Sequence, residues 1–563
     1  MEGYYTRGGN LLVNTSWWMQ QWHQGEEDRR AKIKQDAWAT YMQYYRNEYA
    51  AGIYPKNMLF VMARTMVPRI YYRNPKISIV PRMPGPQHQA FSKILERVDN
   101  ILVDAMNLKV EMKRMVNASF FQSMGVMKLL FGAEFAPTPI AGLTETPVSK
   151  LGMRPEYRPS IVRNMPYVKN IPTQDFVMAE GIQEFEDSFF YAHRIVRYWD
   201  DLENDERFPE FKKYAKKKTG VTSMGDKDPL GTQDKSRRMV ELYEFRDRRT
   251  RKVILLAPDV MPEGKPLLFA DDELQTPYSS PFYIFTPNID VEHPYGVSDA
   301  NILICAQEQL NDIKTKIHQH ARVSIVKWMS EKNAITVDEA EKLLNEDVGT
   351  VVQVANARGL TPIESHHIPA ALLKQEQSIM EDIRELVGFS RNSMAQFQAK
   401  SHGPTATEVS AVNNASDLRI DERRDMIADN IVTMFKDIHK VIFRHWTEPQ
   451  VVKLLGENGL PLWVEFTGRM LEEGSYDVLI EPDSAVPETR EVRESRASRL
   501  YQELVSNPHI DGQKLTRYRL HETPGVAMDD LMKSEEVAPG GNVVSMDQYV
   551  AQQGQSGKQQ QVG

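Results

Sequence analysis

The 563-residue chain has a single cysteine, Cys305. No intrachain disulfide can form, so packing must hold the fold, as suits a reducing cytoplasm. Cys305 itself reads as a small buried apolar residue on a helix. No run approaches ~20 uninterrupted apolar residues, so no membrane-spanning helix is expected. The start, Met1-Glu2-Gly3-Tyr4, shows no basic region followed by an apolar run, and no signal peptide is expected. A broad basic surface is also missing. Lys and Arg number 69 against 77 Asp and Glu, a net charge of −8, which argues against a protein that wraps DNA.

Catalytic motifs are absent as well. There is no Walker-type phosphate loop and no Gly-x-Gly-x-x-Gly after a strand. There is no His-Glu-x-x-His, Cys-x-x-Cys or Gly-x-Ser-x-Gly elbow. His318 and His320, two apart, would not share a helix face, and His366-His367 are adjacent, so these four make no metal set. The acidic pairs Glu381-Asp382 and Asp421-Glu422 read as solvated helix faces. No catalytic, cofactor-binding or metal residue is therefore assigned, and the chain is not expected to be an enzyme. A cytosolic nucleic-acid-processing enzyme built from scattered acids, or a structural protein of a different kind, stands as the alternative.

What is present is enough apolar material, 41% of residues with 9% aromatic, for a large folded protein of several domains. The N-terminal stretch from Trp17 to Tyr49 reads as helix, with an aromatic stripe that includes Trp18, Trp22, Trp38 and Tyr41. Such a stripe can stack bases, but it more often forms core or a subunit contact. A helix led by Asn57, a turn at Pro68–Pro75 and a strand at Ile77–Val80 follow. Gln89 to Met124 reads as helix, Val126–Phe131 as strand, and 137–160 as an exposed loop rich in Pro, Thr and Gly. The lysine run at 216–218 reads as solvated surface. Glu241–Asp247, Val253–Leu256 and Phe282–Phe285 read as strands.

The centre of the chain, Gly296 to Trp446, carries three long helical patterns. The first, about Val297 to Val323, places Ile302, Leu303, Ala306, Leu310, Ile313 and Ile317 at helical spacing. The second, about Pro369 to Val387, stops at Gly388. The third, about Thr405 to Trp446, spans roughly 60 Å at helical rise, with Asn413, Asn414 and Ser416 marking a kink. Between the first two lies a small insert. It has strands at Ser324–Trp328 and Gly349–Val354 and a short helix at 337–344. Between the last two lies a polar loop, Phe389 to Pro404. Strands follow at Leu462–Phe466 and Tyr476–Ile480, then a charged helix at Glu488–Val505 and a Gly- and Gln-rich tail over 539–563 that reads as disordered.

This order of elements resembles the bacteriophage portal proteins, the head-to-tail connectors. It runs from Tyr295-Gly296-Val297-Ser298 through a long helix, a small α/β insert, a second helix, a polar loop with Gly403-Pro404-Thr405-Ala406-Thr407-Glu408, and a third long helix. The resemblance implies an α+β ring subunit with a wing region at 1–295 and stem helices at 296–324 and 368–388. It implies a clip at 325–367, a tunnel loop at 389–404, a long wing helix with a β segment at 405–487, and a helical crown at 488–538. In the clip, Glu331, Asp338, Glu339, Glu341, Glu346 and Asp347 are the candidate docking residues for motor and adaptor. In the tunnel loop, Arg391, Asn392, Gln396, Lys400 and His402 are the candidate DNA-facing residues. The implied assembly is a homo-oligomer, a dodecamer, at one capsid vertex. Its implied partners are the major capsid protein, scaffold, the terminase large subunit, head-tail adaptor or tail proteins, and double-stranded DNA in the channel. The implied location is the virion, with the host cytoplasm during assembly.

Overall fold

The computed structural model describes residues 3–7, 10–50, 52–71, 73–139, 157–214, 239–274, 280–323, 327–330, 337, 360–363, 369–388, 406–446, 450–455, 461–468, 476–480, 490–505, 512, 515–516, 519 and 543–545. The elements in chain order begin with β1 (Tyr4–Arg7), β2 (Asn10–Val13), α1 (Thr15–Lys32), α2 (Trp38–Arg46), α3 (Met58–Ile70), β3 (Ile77–Pro81), α4 (Pro86–Ala105) and α5 (Leu108–Gln122). Next come β4 (Gly125–Pro139), β5 (Tyr157–Ile171), β6 (Phe176–Met178), β7 (Phe190–Tyr198), α6 (Trp199–Asn204), α7 (Pro209–Tyr214), β8 (Met239–Asp247), β9 (Lys252–Leu256), β10 (Leu268–Asp271) and β11 (Phe282–Phe285). The central run is α8 (Asp299–Val323), β12 (Lys327–Ser330), β13 (Leu360–Ile363), α9 (Ala370–Val387) and α10 (Ala406–His445). β14 (Gln450–Leu455), β15 (Pro461–Phe466), β16 (Tyr476–Ile480), α11 (Arg490–Leu504) and β17 (Val543–Ser545) close the list.

The mixture of helix and strand is the α+β class the sequence implied. The chain divides into two compact units. Unit 1 comprises Met1–Gln35, Met66–Ser298 and Ile420–Gly563, and unit 2 comprises Asp36–Thr65 and Asp299–Arg419.

Unit 1 is built on an antiparallel sheet in the order β10-β9-β8-β7-β6. Its inward side chains, Phe190, Ala192, Phe245, Ile254 and Leu256, meet Trp18 and Trp22 of α1 in one core. Asn14 caps α1 by accepting from the Trp17 N–H at 3.2 Å. The single helix expected over Trp17–Tyr49 is in fact broken. α1 ends at Lys32, Lys34 takes a left-handed φ of 48°, and α2 begins only at Trp38. In the aromatic stripe Trp17, Tyr44, Tyr45 and Tyr49 are half-buried, and four rings are core, of two units: Trp18 and Trp22 in unit 1, Trp38 and Tyr41 in unit 2. Bases have no access to rings that are this deeply buried.

A second sheet, β11-β4-β5, is an antiparallel hairpin with long arms. The register runs to Pro139 opposite Tyr157, so the exposed loop expected over 137–160 is shorter than its Pro and Gly content suggested. Backbone pairing extends the arms past the point where turn-forming residues begin. On β4, Lys128 is buried, with Nζ 2.6 Å from Glu244 Oε2. Arg246 Nε donates to the other oxygen of Glu244 at 2.7 Å and its guanidinium also reaches Asp272. Burial lowers Lys128 to about 8 against the pull of Glu244. Burial, with Lys128 beside it, lowers His193 to about 3. The cluster balances two cations with two carboxylates around a neutral imidazole, the condition under which buried charge is tolerated.

A third contact joins distant sequence. β3 pairs antiparallel with β16, Ile79 opposite Val478. The free edge of β3 is closed by α4. Asn100 Oδ1 accepts from Ile77 N at 3.2 Å while its amide donates to Ile77 O at 2.9 Å, and Glu96 accepts from Ile79 N at 3.2 Å. Val543–Ser545, inside the tail expected to be disordered, pairs in parallel with Trp463–Glu465 of β15. Polar composition there did not prevent a short Val-Val-Ser strand from finding an edge.

One network, with Asp99 and His439 fully buried and Tyr476 half-buried, ties α4, α10 and β16 together. His439 Nε2 donates to Asp99 Oδ1 at 2.8 Å and Oδ2 at 2.9 Å, and the Tyr476 hydroxyl donates to His439 Nδ1 at 3.0 Å. The carboxylate can only accept, which sets this tautomer. Burial pushes the Asp99 carboxyl above its usual range, with His439 pulling the other way. His439→Leu would leave the Asp99 carboxylate buried without its donor. We expect a loss of about 3 kcal/mol of stability, read as a lower urea midpoint. An unchanged midpoint would show that the network carries no stability.

Candidate functional site

Unit 2 holds the segments that the sequence singled out for function. α8 and α9 pack side by side. On α8, Ala300, Leu303, Leu310 and Ile313 are buried, and so is Gln307. Its Oε1 accepts from the N–H groups of Met58 at 2.8 Å and Leu59 at 3.0 Å. Its amide donates to Lys56 O at 2.9 Å and Asn311 Oδ1 at 2.8 Å. A side chain from α8 thus satisfies the unpaired donors that open α3, a duty normally left to a local cap. Asn57 supplies that local cap too, accepting from Phe60 N at 2.9 Å. Tyr41 on α2 donates to Asn301 Oδ1 at 3.1 Å.

Glu376 fixes α9 in the same arrangement. Its Oε1 lies 3.0 Å from Lys56 Nζ and 2.8 Å from Lys314 Nζ. Burial alone would raise this carboxyl. Hydrogen bonds from Lys314 and Lys56 outweigh it and hold Glu376 below its usual range. Ile379 and Ile383 continue the buried stripe. The helix ends at Gly388, whose φ of 81° is left-handed. A Cβ there would fall 2.7 Å from Arg419 Nη1, and that guanidinium donates to Glu385 O and Leu386 O, each at 3.4 Å. Glycine takes this left-handed stop without strain, and Arg419 covers two of the carbonyls that the helix end leaves open.

The insert closes on itself. β12 and β13 pair antiparallel, Lys327 opposite Ile363 and Ser330 opposite Leu360. The strand expected at Ser324–Trp328 lies at Lys327–Ser330, and its partner is Leu360–Ile363, which sequence reasoning had not marked as a strand; the strand expected at Gly349–Val354 lies outside the described residues. So do all the clip candidates, Glu331, Asp338, Glu339, Glu341, Glu346 and Asp347. The tunnel-loop candidates Arg391, Asn392, Gln396, Lys400 and His402 also lie outside them.

One expectation on α8 needs correction. Cys305 is exposed, because the buried row runs through 303, 307 and 310 and position 305 falls off it. Ile302 on α8 and Leu373 and Leu386 on α9 are also exposed. An apolar stripe wider than the face that packs inside one subunit has this result. α10 stays α-helical through Asn413, Asn414 and Ser416. His318 stacks on Tyr54 with ring centroids 3.5 Å apart. Among the described residues no three His, Cys, Asp or Glu side chains gather as a metal would require, and no helix is long and apolar enough to cross a membrane. The residues missed by sequence reasoning are Gln307, Glu376, Arg384 and Arg419. A polar residue inside an apolar helical row, as Gln307 is between Leu303 and Leu310, was the available signal.

Residues 23–480 match the family of the phage SU10 portal protein. The chain belongs to that family. It is a portal subunit, a structural component of the virion, as the order of its elements implied. No curated protein matches the sequence. Among solved structures, the portal chain is similar to one in the virion of a native gene transfer agent particle. That match has 7% identity and a TM-score of 0.37, and covers 86% of this chain and 93% of that one. It is also similar to a chain in the neck of a native gene transfer agent particle computed with C12 symmetry, at 7% identity and a TM-score of 0.39, with 85% and 92% covered.

Replacing Gln307 by Leu in this portal subunit would leave the buried Leu59 N–H without an acceptor, while the Met58 N–H keeps Lys56 O at 2.9 Å. We expect a loss of about 2 kcal/mol, with faster hydrogen exchange at Leu59. Exchange at the wild-type rate would mean that another group serves it.

Proposed function

We propose that this portal subunit assembles as a closed ring of twelve at one capsid vertex. The ring is the channel for viral DNA during packaging and ejection, and the docking platform for the packaging motor and for tail or adaptor proteins. The observation that carries this reading is the family match over residues 23–480. The exposed apolar positions Ile302, Leu373 and Leu386 add support, since one subunit leaves them uncovered. In this reading 296–324 and 368–388 form the stem, 325–367 the clip, 389–404 the tunnel loop and 488–538 the crown. The chain carries no catalytic role of its own, and the terminase large subunit supplies the energy. Scaffold and major capsid protein receive the ring in the host cytoplasm.

Twelve chains of 64.7 kDa make a particle of ~780 kDa, which mass photometry separates at once from a monomer or dimer. A chain that stays monomeric or dimeric in all conditions, with scaffold or capsid protein present, would refute the ring.

The tunnel loop has two permanent cations, Arg391 and Lys400, and no acid to pair them. Repeated round a ring, they form a sparse collar that meets phosphates without gripping any base. For the double variant Arg391→Ala, Lys400→Ala we expect normal rings but altered DNA packaging or retention, the difference shrinking as salt rises. Identical packaged DNA at low and high salt would remove the loop from DNA contact.

The clip's acids steer a basic partner surface. Glu339→Lys with Glu341→Lys should leave rings intact and weaken terminase or adaptor binding by about tenfold. Unchanged binding would assign those acids to solubility alone.

A further inference from the structure

Unit 1 has two surfaces of opposite character, and a ring needs two different surfaces on each subunit. We infer that an acidic, apolar-edged cleft in unit 1 receives the basic face of α4 and α5 from the neighbouring copy of this chain. The inference rests on the ring reading above and names the contact that closes it.

The cleft holds about 670 Å³ between the turn at 183–186, β11, the loop that follows it, and the stretch of α10 from Met426 to Asp437. Its floor is aromatic. Phe185 and Tyr191 stack with centroids 4.5 Å apart, and Phe282 lies 5.8 Å from Tyr191. Glu184, Glu186 and Asp290 line it, and Arg248 is the only Lys or Arg that does. Arg248 already donates to the main-chain carbonyls of Glu186 and Ser188, so the cleft presents net negative charge.

The loop on the rim is fixed. Val297 N donates to Asn288 O at 3.0 Å, the Asn288 amide donates to Val297 O at 2.9 Å, and Arg423 donates to Asn288 Oδ1 at 3.0 Å. Gly296 has φ 67°, and a Cβ there would fall 2.2 Å from Thr286 Cγ2. The loop so held carries Ile289 at 75% exposure and Val291 at 92%, the most exposed large hydrophobic among the described residues. An apolar pair on a preorganised loop loses little entropy when covered.

The complementary face runs along α4 and α5. Arg97 and Ile101 stand one turn apart on the outside of α4, Ile101 at 44% exposure. Val110, at 48%, and Arg114, whose guanidinium lies 2.7 Å from Glu111 Oε1 of the same helix and would have to share its charge with the neighbour, stand outside on α5. Cations meet the cleft's carboxylates, and apolar side chains meet Ile289 and Val291. The two surfaces are distinct. A Cβ at Gly125 would strike Met115 O at 2.2 Å, so α5 backs the face of β4 that carries Gly125 and Met127. Phe282 and Ile284 of the cleft pair with Lys128 and Val126, whose side chains alternate to the opposite face.

The test is charge reversal with rescue, in the full chain, read by mass photometry. Glu184→Lys with Glu186→Lys should raise the concentration needed for ring assembly at least about tenfold, and so should Arg97→Glu with Arg114→Glu. All four changes in one chain should restore rings. Ile289→Ser with Val291→Ser, a milder change at fully exposed positions, should weaken assembly with unchanged circular dichroism and melting point. Undiminished rings from the cleft variants would overturn the inference while leaving the ring reading intact. So would normal rings combined with lost terminase or adaptor binding, which would assign the cleft to another protein. A wild type that never forms rings would overturn both.

Discussion

Unit 1 depends on the hydrogen-bonded line from Asp99 through His439 to Tyr476. Its members come from three separated stretches of sequence, and none of them is stable there alone. An ionised carboxylate out of water is costly unless it is met by donors, and here the imidazole meets both its oxygens. The imidazole in turn needs the tyrosine to satisfy its second nitrogen. One turn of α4 divides its labour accordingly: Asp99 faces α10, while Glu96 and Asn100 face the edge of β3. Burial therefore couples the docking of a helix to the closing of a strand edge, so that unit 1 cannot assemble half of this corner.

Unit 2 reaches specificity by the same means with neutral chemistry. Gln307 makes four hydrogen bonds from within an apolar row. A leucine would fill the space but would not define where α3 begins. Glu376 adds a charged version of the same device between the segment around Lys56, α8 and α9. Buried polar groups with every bond met restrict a packing arrangement more than apolar contact does. Packing within unit 2 leaves parts of α8 and α9 uncovered, and the ring reading gives those faces a use.

Much of this architecture was legible in the sequence. The three long helices are found close to where apolar spacing put them, and Gly388 stops α9 as its position suggested. Periodicity reports which residues share a face, but it does not say whether that face is covered by the same chain. Ile302, Leu373 and Leu386 share the apolar spacing and yet stand exposed. The break between α1 and α2 was hidden because Lys34 adopts a left-handed backbone without the glycine that usually marks it. Long-range pairs such as β3 with β16, or Asp99 with His439, leave no local signal at all. For the candidate site, the sequence supplied the charges of the loop and insert, and the structure supplied the helices that carry them.

The pairing of β12 with β13 sets Ser330 directly opposite Leu360. The chain that leaves the first strand returns beside its point of departure, so what lies between is attached through a narrow neck. Such an attachment insulates the helices on either side from the content of the insert. Residues 331–359 can gain, lose or exchange sequence with little consequence for α8 and α9, because the free energy of closing a loop depends only weakly on its length once the ends are fixed. A lineage can then change the insert while inheriting the rest of the subunit intact, much as a tool holder accepts a different bit.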